Sequence, residues 1–299
     1  MRRLIWTSGT DVIEITEDPD APIVSDFSTF EPNTVSGVYD RQTVYGVDGT
    51  VLIGAQLSSR QCVVTATVMG HRIGSAADPV KNVLDRYRRE LCRAFNPKKG
   101  GRLTYHNGSG EALFINATPQ SLPIFANQTT STLTVRLDLI ADDPYWMEAE
   151  EQAADFGTTL WASHLPTTLP TFFSEIQNME RALEVDTDLP IKPRVRINPT
   201  GLPVTVVNET TGRQIGLDRA VDTGCYVIIE TTAKGQAAWL YRDELAETAE
   251  NVTGWLTAKS STEFELLPGI NILAVNDAIP AEEGASAAVI TWHAARLGV

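Results

Sequence analysis

Hydrophobic residues change their spacing along this chain, and the clearest change lies near residue 80. Apolar positions there recur every three or four residues, which places them on one face of a helix: Val80, Leu84, Tyr87, Leu91 and Phe95. Asp78 supplies a capping acceptor, and Pro79 suits the first helical position. Pro97 and two following glycines are typical of a helix end. The pattern predicts a helix over residues 80–95 that packs inside its own subunit.

Alternation with a period of two surrounds this helix and predicts strands. Residues 61–69 are β-branched and apolar on both faces, which is typical of a central strand. Residues 102–106 and 111–117 flank Asn107-Gly108-Ser109-Gly110, a hairpin turn. Residues 132–140 carry leucine and valine on one face only. We therefore expect an α+β unit, in which one helix packs on a β-sheet or sandwich.

The second half of the chain shows short apolar strands with a turn every eight to twelve residues, which is typical of a β-sandwich. Segments of this kind begin near residues 194, 204, 225, 237, 263, 272 and 287. The pattern between residues 147 and 190 fits a helix or a strand equally well. We therefore divide the chain into a first domain (1–146), a connector (147–190) and a second domain (191–299). An alternative is that the last strand returns to the first domain.

The net charge of −14 is unevenly distributed. Through Trp146 there are 14 Lys and Arg against 16 Asp and Glu, a net charge of −2; the remainder has 10 against 22, a net charge of −12. Such acidity argues against sequence-specific binding of nucleic acid and against anionic membranes. No apolar run approaches the roughly 20 residues that span a bilayer, and the first residues lack a signal-peptide core. We expect synthesis in a cytoplasm and no membrane insertion.

One basic cluster stands out on the predicted helix. Arginines there are typical of a solvated helix face, or of a surface that pairs with carboxylates of a neighbouring copy. The candidates for a subunit interface are Arg88, Arg89 and Arg93.

Residues that could carry chemistry are scattered. Cys62, Cys92 and Cys225 are far apart in the sequence, and we interpret them as buried thiols. The four histidines are isolated, and no metal-ligand spacing or nucleophile motif is present. The sequence therefore predicts no catalytic residue, no metal site and no cofactor.

Three tryptophans in the second half are candidates for a stacking platform for a sugar ring. Trp239 and Trp292 lie in predicted strands beside apolar neighbours, so we expect both in the core. Trp255 follows Gly254 in a turn-rich segment and is the candidate for sugar stacking.

An ordered set of short motifs resembles a known family. The set comprises Tyr45-Gly46-Val47-Asp48-Gly49, Arg60, Phe95-Asn96-Pro97, Gly100-Gly101-Arg102-Leu103-Thr104-Tyr105, Pro123-Ile124-Phe125 and Asp143-Pro144-Tyr145-Trp146. Together they resemble the distal tail protein (Dit) family of long-tailed, non-contractile bacteriophages. The resemblance covers roughly the first half of the chain.

This resemblance implies a non-enzymatic structural protein of the virion, in the baseplate at the tip of the phage tail. The first domain would form a homohexameric ring between the major tail protein of the tail tube and the hub or tail-associated lysin. The second domain would be a jelly roll similar to galectins, projecting outward where receptor-binding proteins dock. Phe95, Asn96, Pro97, Asp143, Pro144, Tyr145 and Trp146 would be structural. The alternative interpretation is a carbohydrate-binding module that contributes to attachment to the host cell wall.

Overall fold

The computed structural model describes residues 1–27, 30, 35–46, 48–70, 80–129, 131–157, 179–232, 235–242, 248–276 and 286–298. The chain forms two compact units, Met1–Ala149 with Arg296–Val299, and Glu150–Ala295. The predicted helix cap at Asp78 and Pro79 lies outside the described residues, as does the side chain of Val80.

Strands dominate both units, and the described residues contain one α-helix, α1 (Val80–Ala94). The strands are β1 (Arg3–Ser8), β2 (Asp11–Thr16), β3 (Ile23–Val24), β4 (Gly37–Gln42), β5 (Val51–Leu57), β6 (Arg60–Met69), β7 (Gly101–His106), β8 (Ala112–Pro119), β9 (Ile124–Ala126), β10 (Thr132–Ala141), β11 (Trp146–Glu148), β12 (Gln152–Gly157), β13 (Met179–Val185), β14 (Arg194–Ile197), β15 (Thr205–Asn208), β16 (Arg213–Gly216), β17 (Tyr226–Thr232), β18 (Gly235–Tyr241), β19 (Glu250–Asn251), β20 (Gly269–Asn276), β21 (Ser286–Trp292) and β22 (Ala295–Arg296). The predicted mainly-β fold is confirmed.

The sheet of the first unit closes into a seven-stranded barrel. Its strands follow the order β8-β7-β1-β2-β3-β6-β10, and β10 pairs again with β8 through Leu139 and Ile140. Strands β11 and β22 extend the sheet beyond β8, and β9 runs along β10. Closure satisfies backbone groups that an open sheet would leave unpaired at its edges. The sequence pattern predicted four of these strands, β6, β7, β8 and β10, and did not predict that the sheet closes.

The helix packs on the barrel through the apolar face that the sequence predicts. Leu84, Leu91 and Phe95 are buried, and the partly buried Tyr87 packs against the same core. Val83 is also buried, although it lies off the predicted stripe. These contacts fix the helix through burial of its apolar face, which is the usual source of helix stability in proteins.

The end of the helix packs closely against β1. The Phe95 ring stacks on Trp6 with 5.1 Å between centroids, and the Trp6 indole Nε1 donates to the Ala94 carbonyl oxygen at 2.9 Å. Gly101 lies against the same indole: a Cβ atom there would be 2.5 Å from Trp6 Cζ2 and 2.6 Å from the Thr7 carbonyl oxygen. The indole is held on both sides and cannot move aside.

Gly101→Ala is therefore expected to destabilise the first unit by about 1–3 kcal/mol, as overpacking of a well-ordered core does. Gly100→Ala is the matched control, because the nearest atom to its new Cβ would be at 3.7 Å, an ordinary contact. Thermal denaturation of both variants measures the difference. Equal melting temperatures would show that Trp6 is free to shift.

The second unit contains two antiparallel sheets, each with a buried face. The six-stranded sheet has the order β12-β21-β14-β17-β18-β19, and the four-stranded sheet has the order β13-β20-β15-β16. Val195 and Ile229 represent the buried face of the first sheet, and Val206 and Leu273 that of the second. This arrangement is a β-sandwich, as the turn spacing indicated.

Two segments differ from the sequence-based expectations. Residues 147–190, assigned to a connector, contain strands β12 and β13, which belong to the two sheets of the second unit. Residues 263–266 form no strand: Phe264 and Leu266 are buried, and only a single bridge joins Leu266 to Ile191. Alternation there arises because a turn-rich segment places two apolar side chains in the core. The chain ends in the first unit, whose sheet includes β22.

Candidate assembly interface

A β-hairpin of the first unit exposes an unusual amount of apolar surface. Strands β4 and β5 pair with each other in their own two-stranded sheet. Half of the 16 large apolar residues that are exposed in the described chain lie in or beside this hairpin: Val38, Tyr39, Val44, Tyr45, Val51, Leu52, Ile53 and Leu57. Tyr45 is fully exposed at 103%. Their exposure does not alternate, so apolar side chains point outward from both faces.

Such a hairpin is not stable in water without a further surface. An isolated two-stranded hairpin is marginal, and a contiguous exposed apolar patch usually marks an interaction site. Among the described residues, no third strand pairs with β4 or β5. The signal was present in the sequence as the uninterrupted apolar run Val51-Leu52-Ile53, which is typical of a strand covered on both faces. None of the sequence-based predictions above included this surface.

The three arginines proposed for an interface have different surroundings. Arg88 lies over the Phe125 ring at 4.9 Å and donates through Nη2 to the Gln128 side chain at 2.9 Å, whereas its buried Nε has no hydrogen-bond partner in the described part of the chain. Arg93 forms a 2.7 Å ion pair with Asp11 and remains 66% exposed. Arg89 is exposed. It lines a surface depression together with Arg86, Glu90 and Arg93. The exposed basic surface of the helix therefore centres on Arg89 and Arg93.

The first group of family-signature residues ends the helix. Phe95 is buried in the barrel core. The Asn96 side chain accepts a hydrogen bond from the backbone N–H of Lys98 at 3.0 Å, which forms a turn just beyond the helix. Pro97 is exposed within this turn. These residues therefore end the helix and place β7 directly after it.

The second group closes the first unit around a buried arginine. Trp146 is fully buried, whereas Tyr145 is half-buried and donates its backbone N–H to the Asp143 carboxylate at 3.2 Å. Arg60, at 0% exposure, donates through Nε to the Pro144 carbonyl oxygen at 2.5 Å. Its Nη2 donates to the carbonyl oxygen of Leu297 at 2.7 Å. One guanidinium thus holds both the turn before Trp146 and the end of the chain.

The expectation of three buried thiols holds for Cys62 only, because Cys92 and Cys225 are half-buried. Burial raises the pKa of the Cys62 thiol to about 11, against an opposing effect of the Arg60 charge. The thiolate that would act as nucleophile or metal ligand is therefore scarce at neutral pH. The described residues contain no cluster of three or more histidine, cysteine or acidic side chains that could hold a metal ion. Within the same residues, no helix is long and apolar enough to span a membrane.

The burial of the tryptophans in the second unit differs in part from the sequence-based expectation. Trp292 is buried, as predicted. The prediction for Trp239 is wrong: its neighbours Ala238 and Leu240 occupy the buried face of β18, so alternation places Trp239 on the opposite face, half-buried. Trp255 is also half-buried, and the Arg219 guanidinium lies 5.6 Å from its ring centroid.

In the described residues, a closed barrel with one α-helix, an exposed hairpin and a following β-sandwich define a mainly-β fold of two units. No protein-family model matches the chain, and no curated protein matches its sequence. Solved structures do match over nearly its full length. The Dit protein (gp 19.1) of phage SPP1, described as a paradigm of the hub adsorption apparatus in phages that infect Gram-positive bacteria, is 12% identical with a TM-score of 0.58, covering 98% of this chain and 99% of that one.

Two further matches come from phage baseplates. A chain of the phage P2 baseplate in its activated conformation with Ca is 10% identical, with a TM-score of 0.56 and coverage of 100% of both chains. A chain of the same baseplate with Sr is 10% identical, with a TM-score of 0.52 and coverage of 98% of both chains. This chain therefore has the fold of Dit and phage baseplate proteins. The sequence resemblance is confirmed at the level of the fold.

Proposed function

We propose that this protein is a structural subunit of a phage tail tip, where six copies form a ring in the virion. The exposed apolar hairpin β4–β5 is the observation that carries this proposal. Its two apolar faces are stabilised when another surface removes them from water. In a ring, each subunit can bury the hairpin of its neighbour through the same contact. Closed cyclic symmetry repeats one pair of complementary patches, so a modest contact energy stabilises the whole assembly.

The arginine face of α1 supports a second contact in the same ring. Arg89 and Arg93 are exposed on a unit that is otherwise close to neutral, whereas the second half of the chain is strongly acidic. Carboxylates of an adjacent copy would complement this face and set its orientation. Arg88 lies at the edge of this surface, where its contact with Phe125 would hold the helix against β9.

The axial partners follow from the proposed ring. One side would bind the major tail protein of the tail tube, and the other the hub or tail-associated lysin. The second unit would carry the docking points for receptor-binding proteins. The work of such a subunit is assembly, and it requires no catalytic residue. Synthesis would take place in the host cytoplasm before incorporation into the virion.

Native mass spectrometry of the purified full chain at high protein concentration and low salt tests the ring. We expect a species of six copies, alone or after addition of the cognate tail-tube protein. A strictly monomeric protein under both conditions would contradict the proposal.

Ile53→Asp should abolish this assembly. Ile53 is 59% exposed on β5, so an aspartate there should change the stability of the isolated subunit little. Inside an interface, the same carboxylate would lose its water and gain no partner, which opposes assembly. Ile270→Asp is the matched control, since Ile270 is 66% exposed on β20 and belongs to neither of the two contacts proposed for the ring. The proposal requires loss of the six-copy species for Ile53→Asp only, with unchanged melting of the monomer. Equal loss in both variants, or in neither, would contradict it.

A further inference from the structure

The outward face of the six-stranded sheet in the second unit carries a group of aromatic side chains. In β17, Val227 and Ile229 are buried, so Tyr226 and Ile228 point away from the core. Strand pairing places Tyr226 opposite Tyr241 and Ile228 opposite Trp239. Tyr226, Trp239 and Tyr241 are each only half-buried. We call these three residues the aromatic face.

Arg196 completes this face and is held in place. It lies opposite Ile228, and its guanidinium stacks on the Tyr226 ring at 4.0 Å. Its Nε donates to the Asn198 side chain at 2.8 Å. The rings of Tyr226 and Tyr241 are parallel, with 5.0 Å between their centroids and an angle of 4°. A guanidinium and two phenols thus form a preordered row, which lowers the entropy cost of binding a ligand.

The chemistry of this face is mixed, with apolar surface beside hydrogen-bonding groups. The Trp239 indole supplies a broad apolar surface, and Asn251 lies directly opposite it on β19. Tyrosine hydroxyls both donate and accept hydrogen bonds, the guanidinium donates, and the Asn251 amide does both. A pyranose ring presents the matching combination, a face of C–H groups and a rim of hydroxyls. Aromatic side chains with polar tips suit such amphipathic ligands.

Charge restricts the ligand further. Arg194 on the same sheet forms a 2.6 Å ion pair with Glu230, which cancels their two charges, whereas the Arg196 guanidinium keeps its positive charge when it donates to the neutral Asn198 amide on this face. The unit that carries it, residues 150–295, has 9 Lys and Arg against 21 Asp and Glu, a net charge of −12. A polyanion would be repelled by this field, whereas an uncharged ligand is unaffected.

We propose that the aromatic face binds a neutral polysaccharide, with a pyranose ring packed on Trp239 and its hydroxyls bonded to Tyr226, Tyr241 and Arg196. This site differs from Trp255, which the sequence favoured for sugar stacking. None of its residues belongs to the contacts proposed for the ring, so a negative result for sugar binding would leave the ring proposal unaffected.

Saturation-transfer NMR on the full chain tests the site with defined probes. These are neutral oligosaccharides of glucose, galactose, rhamnose and N-acetylglucosamine, with oligogalacturonate as the anionic comparison. We expect transfer to at least one neutral probe and weaker transfer to the anionic one. Trp239→Ala and Tyr241→Ala should each weaken the affinity about tenfold or more, as truncation of a central aromatic contact does. Trp255→Ala is the control and should leave binding unchanged.

Three results would overturn the proposal: no transfer to any neutral probe, transfer that survives Trp239→Ala, or transfer that Trp255→Ala abolishes. Tyr241→Phe provides a milder variant if alanine perturbs the fold, since it removes one hydroxyl and keeps the ring stack. A face used for docking a protein would give the first of these results. Native mass spectrometry of Trp239→Ala separates the two proposals, because the ring should form whether or not sugar binds.

Discussion

Trp146→Ala is expected to lower the free energy of unfolding of the first unit by about 3–5 kcal/mol, the range for removing a large buried aromatic side chain. Trp146 has no exposed surface and belongs to the same core as Trp6 and Phe95. Its strand β11 pairs with β8 outside the closed barrel, so the indole anchors the peripheral end of the sheet. A cavity at this position cannot be filled without moving that strand.

Calorimetry of the variant provides the measurement, with Tyr145→Ala as the neighbouring control. Tyr145 is only half-buried, so its truncation should have a clearly smaller effect. If Trp146→Ala melts like the wild type, or like Tyr145→Ala, the indole does not anchor the unit.

Arg60→Ala should be comparably severe, at about 3–5 kcal/mol, because it leaves the buried Pro144 carbonyl oxygen and the partly buried Leu297 carbonyl oxygen without their charged donor. Burial lowers the pKa of the Arg60 guanidinium, which reflects the cost of removing this cation from water. Its bonds to the carbonyls of Pro144 and Leu297 offset that cost. Lysine cannot replace it, since an ammonium group lacks the planar fork that reaches both carbonyls.

Arg136→Ala is the matched control, an arginine on the adjacent strand β10 whose ion pair with Asp138 is 56% exposed on the arginine side. Exposed pairs contribute about 0–1 kcal/mol, so this variant should unfold almost like the wild type. Truncation after Arg296 gives an independent check. The truncation should destabilise the wild-type protein more than it destabilises the Arg60→Ala variant, because both changes remove the same interaction. Additive effects would show that Arg60 does not hold the chain end.

Local sequence patterns sufficed for elements whose packing follows their own periodicity. The helix buries Leu84, Leu91 and Phe95 because their spacing matches its turn, and β10 buries every second residue as its alternation requires. The turn at Asn107 forms because the Asn107 side chain accepts hydrogen bonds from the backbone N–H groups of Ser109 and Glu111. These are short-range effects that one segment determines alone.

The sequence pattern does not predict which distant segments pair with each other. Closure of the barrel depends on β10 meeting β8 across two residue pairs, which no local pattern encodes. The bond between Arg60 and Leu297 joins positions 237 residues apart. Strand β12 reaches the six-stranded sheet by pairing with β21 more than a hundred residues later. Its own composition gave no indication of its partner.

The candidate sites failed to appear in the sequence for another reason. Trp239 has apolar neighbours, and only knowledge of which face is buried shows that it points outward. Similarly, Val51-Leu52-Ile53 has the composition of a core strand but is exposed on both faces. In both cases the surface that we propose for a partner has the composition of a protein interior, so sequence alone assigns it to the core.

Electron microscopy of the purified chain mixed with its cognate tail-tube protein shows whether a ring forms. We expect annular particles with six-fold symmetry that dock on the end of the tube, and no such particles in Ile53→Asp samples. Isolated subunits with no annular particles, although tubes are present, would contradict the claim that the exposed hairpin builds a ring.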